Sequence, residues 1–450
     1  MKRIVFSCFL LFAACYGVSA QPLYTLDELK RLAVENNYTL RSARNAIEQS
    51  KEQQQQAFTM FFPTVQAFGV AVDMDKPLIE MDLNLPAQLS SLLPAGVNLP
   101  TSVSMLKNGV FGSVSAIQPV FAGGTIVGSN RLAKVGAQAN EIQLEDSEDK
   151  VTRATELYYW QLVSLKEKML TLEKMHGLLV ELEKDVTLRV NAGIVNRNDL
   201  LQVQLRRGEI EAQMAEVAHA SATLSELLAQ HVGLPASGNG DSEKDAIDVV
   251  IDANLTTATV PDFPLSLKKD HQAVLSSTPT YRLLEKNVES QQILKRIKVG
   301  QNLPAVGVGA SYSYNNFMDR SRSGGAVFAT VSIPISGWWG GSHSIKKQDL
   351  ALQDAREQLT DSGEKLIIQM NRAWSAVETS HKKLVIAHDA ITQADENLRL
   401  NRDYYRAGMT KMTDLLLAQQ QYQQARDRFT DAYADFQTKQ LEYRQATAQE

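Results

Sequence analysis

Two carboxylates stand out by position. In "AGIVNRNDLLQVQLR", Ala192 to Arg206, and in "AGMTKMTDLLLAQQQ", Ala407 to Gln421, Ala-Gly opens the phrase and Asp-Leu-Leu follows six residues after the glycine. Glycine just past a helical run ends a helix in the left-handed conformation. Asp199 and Asp414 therefore stand near the start of a returning helix, where negative charge is favourable against the helix dipole. Carboxylates so placed attract cations; nothing beside them makes a catalytic pair. His381 and His388 lie one heptad apart, without HExxH spacing or a cysteine partner, so solvated helix positions explain them. "GGTIVG", Gly123 to Gly128, follows a strand-like run and opens a helix, yet it is not G-x-G-x-x-G, and the ensuing helix is far too long for a βαβ unit. No constellation for catalysis, metal or cofactor emerges, so the expectation is a protein that is not an enzyme and needs no cofactor.

The elements that position the two aspartates are long helices. From Thr125 to Asn191 the pattern is helical, on the order of 100 Å at 1.5 Å per residue. Val151, Tyr158, Leu165, Leu172, Leu179 and Val186 repeat every seventh residue, the mark of a coiled-coil-like seam. A second helix spans about His343 to Arg406, with the seam Met370, Val377, Leu384, Ile391, Leu398 and Tyr405. Beside it Leu366, Ala373, Ser380, Ala387 and Ala394 form a stripe of mostly small residues that lets neighbouring helices approach closely. Each long helix is preceded by two strand-like runs. These are "TVQAFGVAVD" (64–73) with "GVFGSVSAIQPVF" (109–121), and "AVGVGASYSY" (305–314) with "AVFATVSIPIS" (326–336). Val306, Val308, Ala310, Tyr312 and Tyr314 alternate with Gly and Ser, and Val327, Ala329, Val331, Ile333 and Ile335 share one side of the last run.

The equal spacing of Pro119 to Ala192 and of Pro334 to Ala407 indicates an internal two-fold repeat. Each half reads helix, strand, loop, strand, long helix, turn, helix. The first half opens at Thr25, with Glu28 completing a capping box, and its initial helical segment runs to Pro63. A Pro-rich stretch containing Pro77, Pro86, Pro94 and Pro100 separates its two strands. The expected organisation is a signal peptide at 1–20, a first repeat at 21–232, an inter-repeat segment at 233–278 and a second repeat at 279–450.

The N-terminus has a basic Lys2-Arg3, an apolar core from Ile4 to Ala14, and Val18-Ser19-Ala20 as a cleavage site, which together make a secretory leader. Both cysteines, Cys8 and Cys15, fall inside it, so the mature chain carries no disulfide. Phe12-Ala13-Ala14-Cys15 resembles a lipobox in which Cys15 would be acylated, but Phe12 stands where Leu is usual, and cleavage before Gln21 is favoured. Formal charge is -5, and removal of Lys2 and Arg3 makes it more negative, against the basic stripe of a nucleic-acid binder. No later run supplies the roughly 18 apolar residues of a spanning helix, so any membrane passage must use strands.

Runs of about ten residues match the length of tilted transmembrane strands. Four strands with open edges cannot stand in hydrocarbon, and single-chain barrels have at least about eight. Several copies must therefore share a barrel. Two copies give eight strands with a filled interior; three give twelve, which begin to leave a lumen.

At this point the chain resembles the TolC-type outer-membrane channels, the outer membrane factors of Gram-negative envelopes. The resemblance covers almost the whole mature length. It rests on the duplicated element order, the Pro63-Thr64 and Pro304-Ala305 strand entries, "QPVFAGG" against "IPISGWWGG" at the strand exits, and the two Ala-Gly to Asp-Leu-Leu turns. It implies a fold that is mainly α with a transmembrane β-barrel: a homotrimer whose barrel continues into a periplasmic α-helical tunnel. It further implies an exit duct for tripartite efflux or type I secretion, held in outer-membrane lipid and joined to an inner-membrane pump through a periplasmic adaptor protein. Residues 233–278 would form a collar around the tunnel. Asp414, Asp199 and Tyr405 match the family's periplasmic gate. Leu417 stands where some members have a second Asp and Thr410 where an Arg completes the linkage, leaving Lys411 and Arg197 as candidate gate partners. Trp338 and Trp339 suit interfacial anchors or bulky turn residues. The alternative function is an exported structural or adhesive coiled coil without a pore.

Overall fold

The structure is a computed structural model that describes residues 23–76, 79–82, 102–105, 108–234, 248–249, 259–316, 321–335 and 337–449. The leader with Cys15, much of the Pro-rich stretch and about half of the 233–278 segment lie outside the described residues. In chain order the elements are β1 (Leu23–Tyr24), α1 (Leu26–Asn36), α2 (Tyr38–Thr59), β2 (Thr64–Asp73), β3 (Ile79–Asp82), β4 (Ser102–Met105), β5 (Asn108–Ala122), α3 (Thr125–Asn191) and α4 (Arg197–His231). There follow β6 (Asp248–Val249), α5 (His271–Val274), α6 (Pro279–Gly300), β7 (Ala305–Asn315), β8 (Arg322–Ser332), α7 (Gly337–Arg406) and α8 (Met412–Ala446). They sort into two compact units.

The unit made of Met1–Ser42, Leu144–Thr278 and Lys365–Glu450 is helical, and its seams are buried as the heptads require. Leu172, Leu179 and Val186 of α3, and Met370, Val377 and Leu384 of α7, are buried. Withdrawing each such side chain from water contributes about 1.5–3 kcal/mol. Three apolar clusters result. Leu29, Ala33 and Leu40 pack on Val151, Tyr159, Leu162 and Val163 and on Leu228, Ala229 and Val232. Trp374, Val377 and Leu384 of α7 pack on Phe429, Phe436 and Tyr443 of α8. The third cluster lies under the helix turns.

The capping box at Thr25 forms: the Glu28 amide donates to Thr25 Oγ1 at 3.3 Å, and the Thr25 amide donates to Glu28 Oε2 at 2.9 Å. The helix it starts is not continuous to Pro63. Asn37 turns the chain out of helix with ψ 133°, so α1 and α2 are separate. The buried Asn37 side chain accepts from the Thr39 amide at 2.8 Å and donates to His231 O at 2.8 Å. The bond from Thr39 recaps α2, and the bond to His231 ties the break to the end of α4, together offsetting the lost helical ones.

The other unit, Ala43–Gln143 with Pro279–Glu364, holds the sheet β2-β5-β7-β8, antiparallel throughout, with β2 and β8 at its edges. Register sorts the side chains by face. Val65, Ala67 and Ala71 lie opposite Ala116, Val114 and Val110. Val114 and Ala116 lie opposite Tyr312 and Ala310. Ala310 and Val308 lie opposite Val327 and Ala329. One face is thus apolar from edge to edge and exposed, with Val327 at 88% and Val65 at 65%. The other carries Gln66, Ser113, Ser115, Ser311, Ser313 and Gly324, with Phe68, Phe111, Phe328, Val70, Val72 and Ile117 among them.

Three further expectations need correction. The fourth strand is Arg322–Ser332 rather than 326–336: pairing with β7 ends at Ala305↔Ser332, and Pro334 has no amide to continue a ladder. The second long helix starts at Gly337 rather than 343, because Trp338 anchors its first turn by donating from Nε1 to Asn302 O at 2.8 Å. The stretch between the first two strands is not all loop, since β3 and β4 pair there.

Candidate gate at the helix hairpins

The two repeated phrases build the same turn. Gly193 and Gly408 both have φ 72°, a conformation costly for any residue with a Cβ. After α3 the Ile194 amide reaches back to Arg189 O at 2.8 Å and the Gly193 amide to Val190 O at 3.0 Å. After α7 Met409 donates to Tyr404 O at 2.8 Å and Gly408 to Tyr405 O at 3.0 Å. This pair of bonds is the Schellman closure, which satisfies the last helical carbonyls. Asn196 and Lys411 then begin the return helices with extended backbones, and neither caps through its side chain.

Asp199 and Asp414 stand in the first turns of α4 and α8. Their amides donate to Asn196 O at 3.0 Å and Lys411 O at 3.2 Å. Asp199 is half-buried and Asp414 exposed. Asp414 Oδ2 accepts from Thr410 Oγ1 at 2.9 Å, so the threonine at the expected arginine position bonds the aspartate within its own turn. Lys411 and Arg197 are exposed, and neither forms an ion pair among the described residues.

Beneath the turns Leu172, Met175, Leu179, Val186, Val203, Ile210, Met412 and Leu415 form a core that includes Tyr405. Tyr405 is 6% exposed, yet its hydroxyl has no hydrogen-bond partner among the described residues. The Arg189 guanidinium lies 5.8 Å from the ring centroid and is held by Asp185 at 2.9 Å. Burial pushes the Tyr405 phenol above its ordinary pKa; the Asp199 charge pushes the same way, and Arg189 opposes it. Tyr405 and Asp199 therefore share one electrostatic neighbourhood, whereas Asp414 is bonded only locally.

A cavity of about 470 Å³ opens beside Tyr405, lined by Leu182, Leu398, Arg189, Arg402, Arg406 and Gln419. Gln419 Oε1 is also buried without a partner among the described residues. The arginines and Gln419 escaped sequence reasoning. Arg402 and Arg406 are one helical turn apart around Tyr405, a visible signal, but spacing alone does not say which face they take. Among the described residues no group of three or more His, Cys, Asp or Glu side chains could hold a metal. His381 contacts Pro261 O at 3.0 Å, and His388 lies 3.7 Å from Asp389 and against Phe429.

Comparison with known proteins places this arrangement. Residues 272–449 match the family described as Outer membrane efflux protein. The CmeC outer membrane channel of Campylobacter jejuni superposes with a TM-score of 0.77 at 15% identity, covering 94% of this chain and 85% of that one. VceC, an outer membrane protein of Vibrio cholerae, gives 0.72 at 13% identity, covering 94% and 96%. The open MtrE outer membrane channel of Neisseria gonorrhoeae gives 0.71 at 15% identity, covering 94% and 89%. No curated protein sequence matches the chain. Residues 272–449 are thus similar to the outer membrane efflux protein family, and the chain has the fold of outer-membrane channels, in keeping with its resemblance to the TolC type.

Proposed function

We propose that this chain is the outer-membrane exit duct of a tripartite efflux or type I secretion system in a Gram-negative envelope. The observation that carries the reading is the four-stranded sheet, apolar from edge to edge over the middle of one face and open at both edges. Open edges are untenable in hydrocarbon, where each unpaired backbone group costs several kcal/mol. Copies of the chain must close them. Three copies make a twelve-stranded barrel with the Val and Ala face toward lipid and the Gly and Ser face toward a water-filled lumen. Tyr312 and Tyr314, near the far end of β7, suit the outer interfacial girdle. No helix among the described residues is long and apolar enough to cross a membrane, and the barrel reading requires none.

In this reading the chain is a signal peptide (1–20), two structural repeats (21–232 and 279–450) and a collar segment between them. Helix lengths support the duplication, with 67 and 70 residues in α3 and α7 and 35 residues in each of α4 and α8. The partners are two further copies, a periplasmic adaptor protein and an inner-membrane pump, which supplies the energy, so the duct performs no catalytic step. Asp414, exposed in its turn, would line the aperture, where three carboxylates at close range favour cations. Asp199 and Tyr405 would hold the closed state, with Arg197 or Lys411 engaged only between copies. A poreless coiled coil leaves the apolar sheet face unexplained.

Membrane fractionation and native mass of the detergent-extracted protein test the assembly. An outer-membrane trimer is expected; a soluble monomer would overturn the proposal.

A further inference from the structure

The end of the sheet where β2 and β7 begin and β5 and β8 finish is bordered by exposed apolar side chains. Phe58 stacks on Phe61 and Phe62 beyond α2, with ring centroids 5.7 and 5.5 Å apart. Gln118 Nε2 ties this group to β5 by donating to Phe61 O at 3.0 Å. Ile335 and Trp339, between β8 and the first turn of α7, are 62% and 80% exposed.

Charge is sorted just beyond that border. Residues 53–63, 124–140, 290–304 and 333–348 are the segments next to this end of the sheet. They hold seven Lys or Arg and no Asp or Glu, in a protein whose formal charge is -5. Asp349, the first acid on α7, is taken by Lys295 at 2.6 Å. Arg131, Lys134, Arg296, Lys346 and Lys347 are exposed, and none forms an ion pair among the described residues.

Apolar and cationic residues share helix faces, since positions three, four or seven apart align. On α3, exposed Val127 precedes Arg131 by four residues and Lys134 by seven. On α7, Trp339 precedes Lys346 by seven. On α6, which runs toward the sheet, exposed Val299 follows Arg296 by three. The cations are therefore farther from the sheet than the apolar residue on all three helices. Seven helical residues advance about 10 Å.

We infer that these cations form a belt that binds the phosphates of anionic phospholipids in the periplasmic-side leaflet. The inference rests on the barrel reading and adds the class of lipid. The apolar border belongs at the edge of the hydrocarbon, and the headgroup layer beyond it is about 5–7 Å thick. Lys and Arg lay their methylenes along apolar surface and reach that layer with their charged heads. A zwitterionic layer would tolerate carboxylates, which pair with its cationic groups. Seven cations without an acid instead match a net negative surface. A water-filled lumen does not explain the stripes, because Val127, Val299 and Trp339 would then face water.

The test is lipid selectivity around the full-length protein, reconstituted in phosphatidylcholine vesicles with trace spin-labelled phosphatidylglycerol or phosphatidylcholine. A basic side chain near an anionic surface strengthens association about fivefold. Averaged over all lipids in contact, phosphatidylglycerol should be immobilised about twofold or more in preference. Raising salt from 0.1 M to 1 M, which cuts the screening length from about 10 to about 3 Å, should shrink that preference. Replacing Arg131, Lys134, Arg296, Lys346 and Lys347 together by Gln should abolish it. Lys382→Gln with Lys383→Gln, in the other unit, should leave it intact. Equal immobilisation of both lipids by the parent, or an undiminished preference in the five-fold variant, overturns the belt and leaves the barrel standing. No immobilised lipid of either kind overturns the barrel reading and the belt with it.

Discussion

The turn between β5 and α3 meets the end of α6 glycine against glycine, and that approach sets a graded expectation. Gly123 has φ 61°, and a Cβ there would stand 2.8 Å from the Gly300 carbonyl carbon and 3.0 Å from its Cα. Gly124 has φ 79° and open space around it. Gly300 has ordinary helical backbone, but a Cβ would come within 3.1 Å of the Gly123 carbonyl carbon and of Thr125 Cγ2. Gly124→Ala should therefore cost only the left-handed penalty, about 1–2 kcal/mol. Gly300→Ala carries the overlap alone; separating two backbones by on the order of 1 Å is overpacking, at about 1–3 kcal/mol. Gly123→Ala carries both, about 2–5 kcal/mol. Urea unfolding followed by circular dichroism at the helix band should rank Gly123→Ala well below Gly124→Ala. Equal midpoints for the two would refute the close approach.

Two further expectations follow from the helical unit. Leu384, wholly buried between α7 and α8, should cost about 2–5 kcal/mol as Leu384→Ala, read from the same urea midpoint. Burial holds the Asp427 carboxyl above its ordinary pKa; Lys168 and Gln423 oppose it, Asp431 pushes the same way, and one carboxylate oxygen has no partner among the described residues. A raised pKa means the fold favours the protonated form, and that stability is lost as pH rises through the folded value. Asp427→Asn should therefore raise the urea midpoint at pH 7, and the gain should vanish toward pH 4; a gain that persists at low pH contradicts the assignment.

What the sequence shows and what it withholds divide along the range of the interaction. The hairpins at Gly193 and Gly408, the heptad seams and the alternation around Val308 and Val327 are local patterns. Each is dictated by chain geometry within a few residues. The fourth strand's ends are not, because shifting the segment by four residues leaves its facing unchanged and only pairing with β7 locates it. Asn37 breaks a helical pattern through a bond to His231, far away in sequence. At the candidate gate, Asp199 and Asp414 are readable from the repeated phrases and Tyr405 from the heptad seam. That Arg189 lies against Tyr405, and that Arg402 and Arg406 line the cavity beside it, depends on helix rotation that spacing alone leaves open. The meeting of His271, Asn371 and Tyr443 is unreadable for the same reason, since they come from three separate segments.

The duct itself is tested most directly by inserting the purified trimer into a planar bilayer and recording single-channel current. Discrete, cation-selective steps that multivalent cations block are expected, with Asp414→Ala weakening both selectivity and block. A purified trimer that inserts yet carries no current would contradict the account, whereas conductance indifferent to Asp414→Ala would remove only the gate assignment.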